Sequence, residues 1–443
     1  MADLLTHALT FTKENVQEFF VDPFFQGVDI RDAITVRTDI KGTERLNRIS
    51  RPNKITKKKT SAGFTPTGSM ALTQTDLTVK PVAIEFEQNG RAFLDSVLQE
   101  ALAKGWSEDD VNNMSNPDFF NQIVLPLLAE AGKQDLVRQM WFADETKETL
   151  VAGISAGSAD ADYQVYTGFW TRWLNDIESS AFPSGQVVDI NNGAVKQELI
   201  ETLSGISGGN LTLTVNGTAY TQAFDTSATV TVTAWVASYA SVIDARGALT
   251  GITVTDEGSG AVKFVAEHAG QGFTVVETDA GTGGTLTASG VVANVGHSAL
   301  GTDEADNTFE AMIDAMPNEL LSFSPVIMCS RTMLRNYIQT LKNTGTDSAH
   351  QTILNGVSVY TYEGIAVMQR PEWDTHISGD MNSVYPHRAV LTTQENLLMG
   401  TDGAGDDESV ETWWNQDLQL RRYRVQYKAQ TMHLHNELVV LAR

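Results

Sequence analysis

Apolar residues follow two different spacings along the chain, and the changes between them predict the elements. Positions three and four apart run through 89–145, where Gly105 ends one helix and Asn116-Pro117 opens a longer one. The same spacing predicts further helices over 13–20, 163–177, 194–203, Phe309–Met316 and Arg331–Leu341. Two-residue alternation instead predicts strands over 77–86, 326–329, 357–360, 365–368 and near Ala389, Leu418 and His433.

A change of composition separates 208–298 from its surroundings. This segment is rich in Gly, Thr, Val and Ala and has two basic residues, Arg246 and Lys263. Alternation predicts strands over 211–215, 228–236, 252–254, 261–265 and 273–276. Asn216-Gly217 is typical of a hairpin turn. We therefore expect an all-β, immunoglobulin-like sandwich inserted into an α+β protein, between a helix that ends at Gly205 and the helix around Phe309.

Charge and composition exclude several classes of protein. The 443 residues suggest two or three domains, and the net charge of -24 argues against a protein whose main task is binding nucleic acid. With one cysteine, Cys329, there is no internal disulfide framework. The N-terminus lacks the layout of a signal peptide, and no apolar run approaches the ~20 residues that span a bilayer. We expect a protein without membrane association.

A basic segment precedes the first predicted strands. Its nine lysines and arginines stand against Asp39 and Glu44, a net charge of +7. They are Arg37, Lys41, Arg45, Arg48, Arg51, Lys54, Lys57, Lys58 and Lys59. Because large apolar residues are nearly absent, this segment cannot form a core of its own, and we expect a long projecting hairpin.

Inter-subunit contact is the function that we assign to this basic loop. Its expected partners are acidic residues of a neighbouring copy. The candidates are Asp402, Asp406, Asp407, Glu408 and Glu411. A solvated, flexible loop and a contact with packaged DNA are the alternative interpretations.

Three motifs suggest chemistry, and each has a simpler explanation. The stretch 205–209 matches the G-x-S-x-G pattern of hydrolases, but its predicted order, helix before and strand after, is the reverse of what that mechanism needs. His433, His435 and Glu437 would share one strand face, as a zinc site needs, although a half-buried strand explains them equally well. The acidic stretch 402–408 lacks calcium-loop spacing. We therefore predict no catalytic residue, metal site or cofactor.

The order of elements resembles the major capsid proteins of tailed double-stranded DNA phages, the HK-97 fold, which encapsulin shells also use. The resemblance rests on the arm from Asp22, the basic loop Arg37–Lys59, the long helix from Asn116 and the strand-and-helix pair Ser324–Leu341, together with the hairpin 354–359 and the final strands 423–440. It implies an N-terminal arm (1–36), an extended loop (37–88), a peripheral domain with spine helix and the first part of an axial domain (89–205), the inserted sandwich (206–300) and the remaining axial and peripheral parts (301–443).

The resemblance also implies a function. The chain would be a structural subunit, not an enzyme, that assembles as pentamers and hexamers into a phage head shell around double-stranded DNA, without sequence-specific binding. Portal and scaffolding proteins would be its partners, and it would be located in the virion after assembly in the host cytoplasm. Alternatives are an encapsulin-type compartment shell, a phage tail or surface adhesin whose sandwich binds carbohydrate, and, more remotely, a hydrolase.

Overall fold

The chain is described here by a computed structural model. It covers residues 9–10, 33–49, 56, 58, 72–89, 125–145, 162–190, 193–244, 251–345, 351–354, 357–380, 385–402, 410–415 and 420–443. Two compact units divide these residues. The first unit takes its described residues from Met1–Val137 and Leu398–Met432, and the second from Arg138–Leu397 and His433–Arg443.

The described residues form a mixed α+β protein. The helices are α1 (Leu125–Phe142), α2 (Phe169–Glu178), α3 (Ala228–Asp244), α4 (Glu304–Asp314), α5 (Arg331–Thr344) and α6 (Pro371–Asp380). The strands are β1 (Leu9–Thr10), β2 (Thr35–Arg37), β3 (Thr43–Ile49), β4 (Leu72–Thr78), β5 (Lys80–Asn89), β6 (Val187–Val188), β7 (Glu198–Ser204), β8 (Gly208–Val215), β9 (Thr218–Ala223), β10 (Ile252–Gly258), β11 (Ala261–Ala266), β12 (Val275–Thr282), β13 (Thr285–Val292), β14 (Val326–Ser330), β15 (Gln351–Leu354), β16 (Val357–Tyr362), β17 (Ile365–Arg370), β18 (Ala389–Thr392), β19 (Leu397–Thr401), β20 (Val410–Asn415), β21 (Leu420–His433) and β22 (Val440–Ala442). Short 3-10 turns cover Ser184–Gln186, Leu320–Phe323, Gln394–Asn396 and Asn436–Leu438.

The first unit contains a sheet of six described strands in the order β1-β20-β21-β19-β2, with β5 also paired to β21. The β5–β21 ladder is antiparallel and runs from Leu420 opposite Asn89 to Ala429 opposite Lys80. Tyr423 and Val425 are buried on one face, as the alternation along this strand predicts. On β19, a Cβ at Gly400 would lie 2.9 Å from side-chain carbons of both Ile40 and Leu77, so glycine permits this close packing.

The second unit is built on a seven-stranded sheet, in the order β15-β16-β17-β14-β18-β22-β6 among the described strands. Helices α4 and α5 pack on it through Phe309, Met312, Met333 and Tyr337, which belong to one buried cluster. The predicted helix from Arg331, the strand from Val326 and the hairpin 357–368 are confirmed. These elements give a body with its own core, called the body below.

Helix α5 begins where a side chain from another helix satisfies its first amides. The carboxylate of Asp374, in the first turn of α6, accepts hydrogen bonds from Arg331 N (2.6 Å) and Thr332 N (3.3 Å). Gly345 ends α5 with a positive φ of 72°, a backbone conformation that glycine adopts without strain. The helix therefore extends a few residues beyond the Leu341 that periodicity predicts.

Four tryptophans form the centre of a second aromatic core in this unit. Trp141 of α1, Trp170 and Trp173 of α2 and Trp373 of α6 are all 1% exposed or less. Three of their pairs are edge-to-face, with ring centroids 5.0–5.2 Å apart. Such pairs place a positive ring edge against a negative ring face, which stabilises each by about 0.5–1.5 kcal/mol beyond burial. The cluster fastens α1, α2 and α6 together.

The inserted segment is an α+β domain and not the predicted all-β immunoglobulin-like sandwich. It has one sheet in the order β10-β11-β7-β13 and another in the order β12-β8-β9, and α3 packs mainly against β10 and β9. Its buried cluster draws its members from residues 199–286. The strands begin at Glu198, ahead of the expected boundary at 206, and this domain is called the insert below.

The stretch Ala228–Val236 is helical where alternation predicts a strand. The preceding Ser227 begins the helix, because its Oγ accepts a hydrogen bond from Val230 N at 3.3 Å. Thr231 Oγ1 donates to the Ser227 carbonyl at 2.8 Å, so its hydroxyl is satisfied inside the helix. Trp235 then anchors α3, since its Nε1 donates to Tyr220 O at 3.0 Å. Tertiary burial of Trp235 outweighs the β preference of the valines and threonines.

The predicted helix over 194–203 is also wrong, because this stretch forms β7. Strand β7 lies between β11 and β13 and pairs with both. Leu199 and Leu203, which suggested a helix face by their spacing, lie instead on one side of the strand and pack in the insert core. The predicted strand from His433 is wrong too: β21 ends there, a 3-10 turn follows and β22 starts at Val440.

Other predicted elements fall partly outside the described residues. The N-terminal helix 13–20, the helix that ends at Gly105 and the opening of the spine helix at Asn116 lie there. The described part of the spine helix is α1, with Pro126 in its first turn, a position that proline tolerates. The helix predicted over 163–177 is present as α2 and begins at Phe169.

Candidate assembly interface

The basic loop contains an antiparallel hairpin whose two strands form a sheet of their own. Strands β3 and β4 pair from Thr43 opposite Thr78 to Ile49 opposite Leu72. Among the described residues, neither strand has a third strand beside it. The hairpin that the sequence predicts for the basic loop is thus present in its two paired strands.

The described side chains of this hairpin are mostly exposed. Thr43, Arg45, Asn47, Gln74 and Thr75 are all exposed. Leu72 is 66% exposed although it is apolar, and Leu77 at the base of the hairpin is 1% exposed. Apart from Leu77, the described side chains of the hairpin therefore contribute little to a core within their own chain.

Among the described basic residues of the loop, Arg37 and Arg45 form ion pairs. Arg37 Nη1 lies 2.6 Å from Glu44 Oε1, and Arg45 Nε lies 3.4 Å from Asp76 Oδ1. Both pairs are partly exposed, so each stabilises the fold by about 0–1 kcal/mol. They leave Lys41 exposed between them.

The remaining basic residues lie between Arg48 and Lys59 in the sequence. Arg48 is on β3, and Lys58 is exposed. Arg51, Lys54, Lys57 and Lys59 lie outside the described residues. Their role in an inter-subunit contact stays a prediction.

One acidic candidate is already engaged within its own chain. Asp402 is 2% exposed, and its Oδ2 lies 2.9 Å from Nζ of Lys428. A buried carboxylate paired in this way is not presented to a second copy. Glu411 is on β20, opposite Arg424 of β21. Asp406, Asp407 and Glu408 lie outside the described residues.

One face of the β5–β21–β20 sheet carries an ordered row of charges. Glu85 Oε1 accepts from Arg424 Nε at 2.6 Å, and Glu87 Oε2 accepts from Arg422 Nε at 3.2 Å. The Arg424 guanidinium also lies 5.4 Å from the centre of the Trp413 ring. These residues line an open surface groove of about 310 Å³. Sequence reasoning missed this row, although Glu-x-Glu and Arg-x-Arg on two strands signal a charged sheet face.

The hydrolase-like motif 205–209 has the wrong geometry for a nucleophile. It connects β7 to β8, so a strand precedes it and a strand follows it. Ser207 Oγ donates to Thr282 O at 3.0 Å, which engages the hydroxyl. A nucleophile elbow needs a strand-to-helix turn that presents the hydroxyl to a base.

The histidines near the C-terminus do not share one face as a metal site requires. His433 ends β21, and its Nε2 lies 3.2 Å from Asp176 Oδ2. His435 N donates to Asn396 Oδ1 at 2.9 Å where the strand has ended. Within the described part of the chain, no three His, Cys, Asp or Glu side chains are grouped as metal ligands would be. Among the same residues, no helix combines the length and apolarity needed to cross a membrane.

Comparison with known proteins gives matches in structure alone. No protein-family model matches the chain, and no curated protein matches it. Among solved structures, the chain is similar to the satellite phage P4 procapsid including size determination (Sid) protein, at 10% identity and a TM-score of 0.42, over 97% of this chain and 96% of that chain.

Two further solved structures show the same range of similarity. The bacteriophage PhiM1 mature capsid matches at 7% identity and a TM-score of 0.38, over 93% of this chain and 84% of that chain. The holo-SrpI encapsulin complex from Synechococcus elongatus PCC 7942 matches at 10% identity and a TM-score of 0.37, over 92% and 84%. We base the functional proposal on the geometry of the chain.

Proposed function

We propose that this chain is the structural subunit of a closed shell, with the basic hairpin as an inter-subunit contact. The observation that carries the proposal is the isolated β3–β4 ladder. A two-stranded hairpin is marginally stable in water unless a third strand or a packed face supports it. The described residues of this one supply neither, and Leu72 is left exposed. A surface of another copy would supply the missing support.

Shell geometry explains why such an extension is useful. Subunits of a closed assembly need contacts that repeat by symmetry and close on themselves. Obligate interfaces bury about 2,000–5,000 Å². An extended arm adds interface area without enlarging the core of the subunit. The hairpin fits that requirement, because its side chains are available while its backbone is already ordered by pairing.

Charge would set the register of this contact. The loop carries a net charge of +7 in a chain whose net charge is -24, so most other surfaces of a second copy attract it. Oppositely charged surfaces steer encounter and disfavour wrong alignments. The expected partners are Asp406, Asp407, Glu408 and Glu411, since Asp402 is buried in a pair with Lys428.

The role proposed is structural and requires no catalytic centre. As a phage head subunit the chain would surround double-stranded DNA without reading its sequence, and it would meet portal and scaffolding proteins during assembly. The net negative charge of the chain supports a shell that encloses DNA over one that binds it tightly, because tight phosphate binding needs a basic face. DNA extracted from purified particles supports a phage head, and particles free of nucleic acid support a cellular compartment.

The test reverses charge in the sequence between the two strands of the hairpin. In the variant Lys57→Glu, Lys58→Glu, Lys59→Glu, we expect a folded subunit by circular dichroism and loss of shells in electron micrographs of the purified protein. The matched control reverses three exposed basic residues elsewhere, Lys196→Glu, Arg335→Glu and Lys342→Glu, and keeps the shells. Wild-type assembly should also weaken as salt rises above ~0.15 M, because screening shortens the reach of the attraction.

Two results contradict the proposal. Shells of normal yield from the hairpin variant would show that Lys57, Lys58 and Lys59 do not form the contact. A wild-type protein that stays monomeric in analytical ultracentrifugation at high concentration would show that the chain does not form a shell.

A further inference from the structure

The insert joins the body through a narrow neck. The chain enters at Val195 and leaves at Val295, and these two residues form an antiparallel bridge with N–H to O distances of 3.0 and 3.3 Å. The insert and the body have separate buried clusters. Contacts around the neck therefore decide how firmly one is held against the other.

One tyrosine of the body lies at the centre of those contacts. Tyr385 is 7% exposed, and its ring lies 5.3 Å from the ring of His268, in the insert, and 5.2 Å from the ring of His297, two residues beyond the exit. The Tyr385 hydroxyl is 3.1 Å from His268 Nδ1. On the body side, the Arg443 guanidinium lies 5.0 Å from the centre of the same ring.

Two further hydrogen bonds fix which ring nitrogen carries the proton. His297 Nε2 donates to Ala269 O at 2.9 Å, and His387 Nε2 donates to Ser298 O at 3.1 Å. With the proton on Nε2, Nδ1 of each neutral ring is a lone-pair acceptor. His387 Nδ1 accordingly accepts from Thr332 Oγ1 at 3.1 Å. Gly270 packs directly on the His297 ring, since a Cβ there would lie 2.7 Å from its Cδ2.

Burial favours the neutral form of these rings. It lowers the pKa of His297, against the hydrogen bond to Ala269 O, which raises it, while the neighbouring His387 and Arg388 lower it further. Burial also lowers the pKa of His387, against the opposing effects of its hydrogen bond to Ser298 O and of Asp374. The titratable and charged groups that face the neck are His268, His297, His387, Tyr385, Arg388, Arg443, Asp189, Glu267 and Asp374.

We propose that the neck is an acid-sensitive hinge, in which protonation of His297 and His387 releases the insert from the body while both stay folded. A second proton on His297 would lie close to Arg388, a fully buried cation, and a second proton on His387 would turn its Nδ1 from an acceptor into a donor. Asp189 is 79% exposed in its pair with Arg443, so solvent screens it and it cannot balance the added charge.

The sign of the effect follows from linkage. A histidine whose pKa is lowered in the closed neck binds its proton more readily when the neck is open. The closed neck therefore keeps its full stability above the ordinary histidine pKa of about 6.5 and loses it as pH falls below that value. For each proton taken up when the neck opens, the equilibrium constant for opening rises by up to about tenfold for each unit by which the pH falls. The rise ends once the pH is below the lowered pKa of the histidine in the closed neck.

Hydrogen–deuterium exchange of the full chain tests the hinge. Exchange is measured at about pH 8 and about pH 5.5 and corrected for intrinsic rates. Peptides covering 193–198, 266–272, 293–299 and 385–389 should lose protection at the lower pH. Peptides of the insert core, such as β8, should keep theirs. In the double variant His297→Gln, His387→Gln the pH response should disappear, because glutamine still donates to the carbonyls but does not titrate.

The matched control is His376→Gln, which alters a histidine of α6 that contacts Phe142 in the body. It should retain the full pH response at the neck. Equal protection of the wild-type neck at both pH values overturns the proposal, and this result needs no variant. So does a double variant that is folded and still opens in acid, or a loss of protection that spreads equally through the insert core.

Discussion

Replacing Lys428 with methionine tests how much a half-buried ion pair contributes to the first unit. Lys428 Nζ lies 2.9 Å from Asp402 Oδ2, and the Asp402 side chain is 2% exposed while that of Lys428 is 29% exposed. The other carboxylate oxygen, Oδ1, has no hydrogen-bond partner among the described residues. In Lys428→Met, a buried carboxylate would therefore remain without its cation.

The expected cost is intermediate between two limits. Breaking a fully buried pair by removing one partner costs about 3–5 kcal/mol, and an exposed pair contributes about 0–1 kcal/mol. Because Lys428 reaches solvent, we expect Lys428→Met to cost about 2–3 kcal/mol. For a unit of this size that lowers the melting temperature by roughly 4–12 °C.

Scanning calorimetry of the full chain measures the change. The control is Arg422→Met on the same strand, whose pair with Glu87 is 36% and 54% exposed and should contribute below about 0.5 kcal/mol. Adding Asp402→Asn to Lys428→Met should restore part of the lost stability, since the unpaired charge is gone. If Lys428→Met lowers the melting temperature no more than Arg422→Met does, Lys428 does not stabilise the buried carboxylate of Asp402 and the reasoning is wrong.

Two further predictions concern the second unit. Gly168→Ala should destabilise it by about 1–3 kcal/mol in urea unfolding followed by tryptophan fluorescence, because the new Cβ would lie 2.8 Å from backbone atoms of Trp141, Phe142 and Ala143; Gly185→Ala, with open space around it, should leave the midpoint unchanged. Cys329 should not react with a thiol reagent at neutral pH until the unit unfolds, because burial raises the pKa of its thiol; rapid labelling of the native protein would contradict this.

Sequence patterns predicted the elements whose local preference agrees with their surroundings. The stripe along α5 and the alternation along β21 each match a face that the structure buries. The hairpin of the basic loop followed from composition, since a stretch without large apolar residues has no core to enter. Charge alone could not show that Asp402 is paired internally, because Lys428 lies far away in sequence.

Two of the wrong predictions fall in the insert, and in both the tertiary contacts outweigh the local preference of the sequence. Alternating threonines and valines in 228–236 favour a strand, yet burial of Trp235 holds them in a helix. Leucines four apart in 194–203 favour a helix, yet pairing on both sides makes a strand. Glu201 obscured the alternation there, because it is a charged residue midway between Leu199 and Leu203 along β7. Burial and the nearby Glu277 raise the pKa of its carboxyl. The Ser227 cap was a usable signal for the helix.

The Val195–Val295 bridge leaves the two ends of the insert side by side. A foreign domain whose own termini are adjacent could therefore replace the insert through short linkers, without stretching either strand. If the chain forms shells as proposed, every subunit would then carry one copy of that domain, and the number displayed would be fixed by the symmetry of the particle.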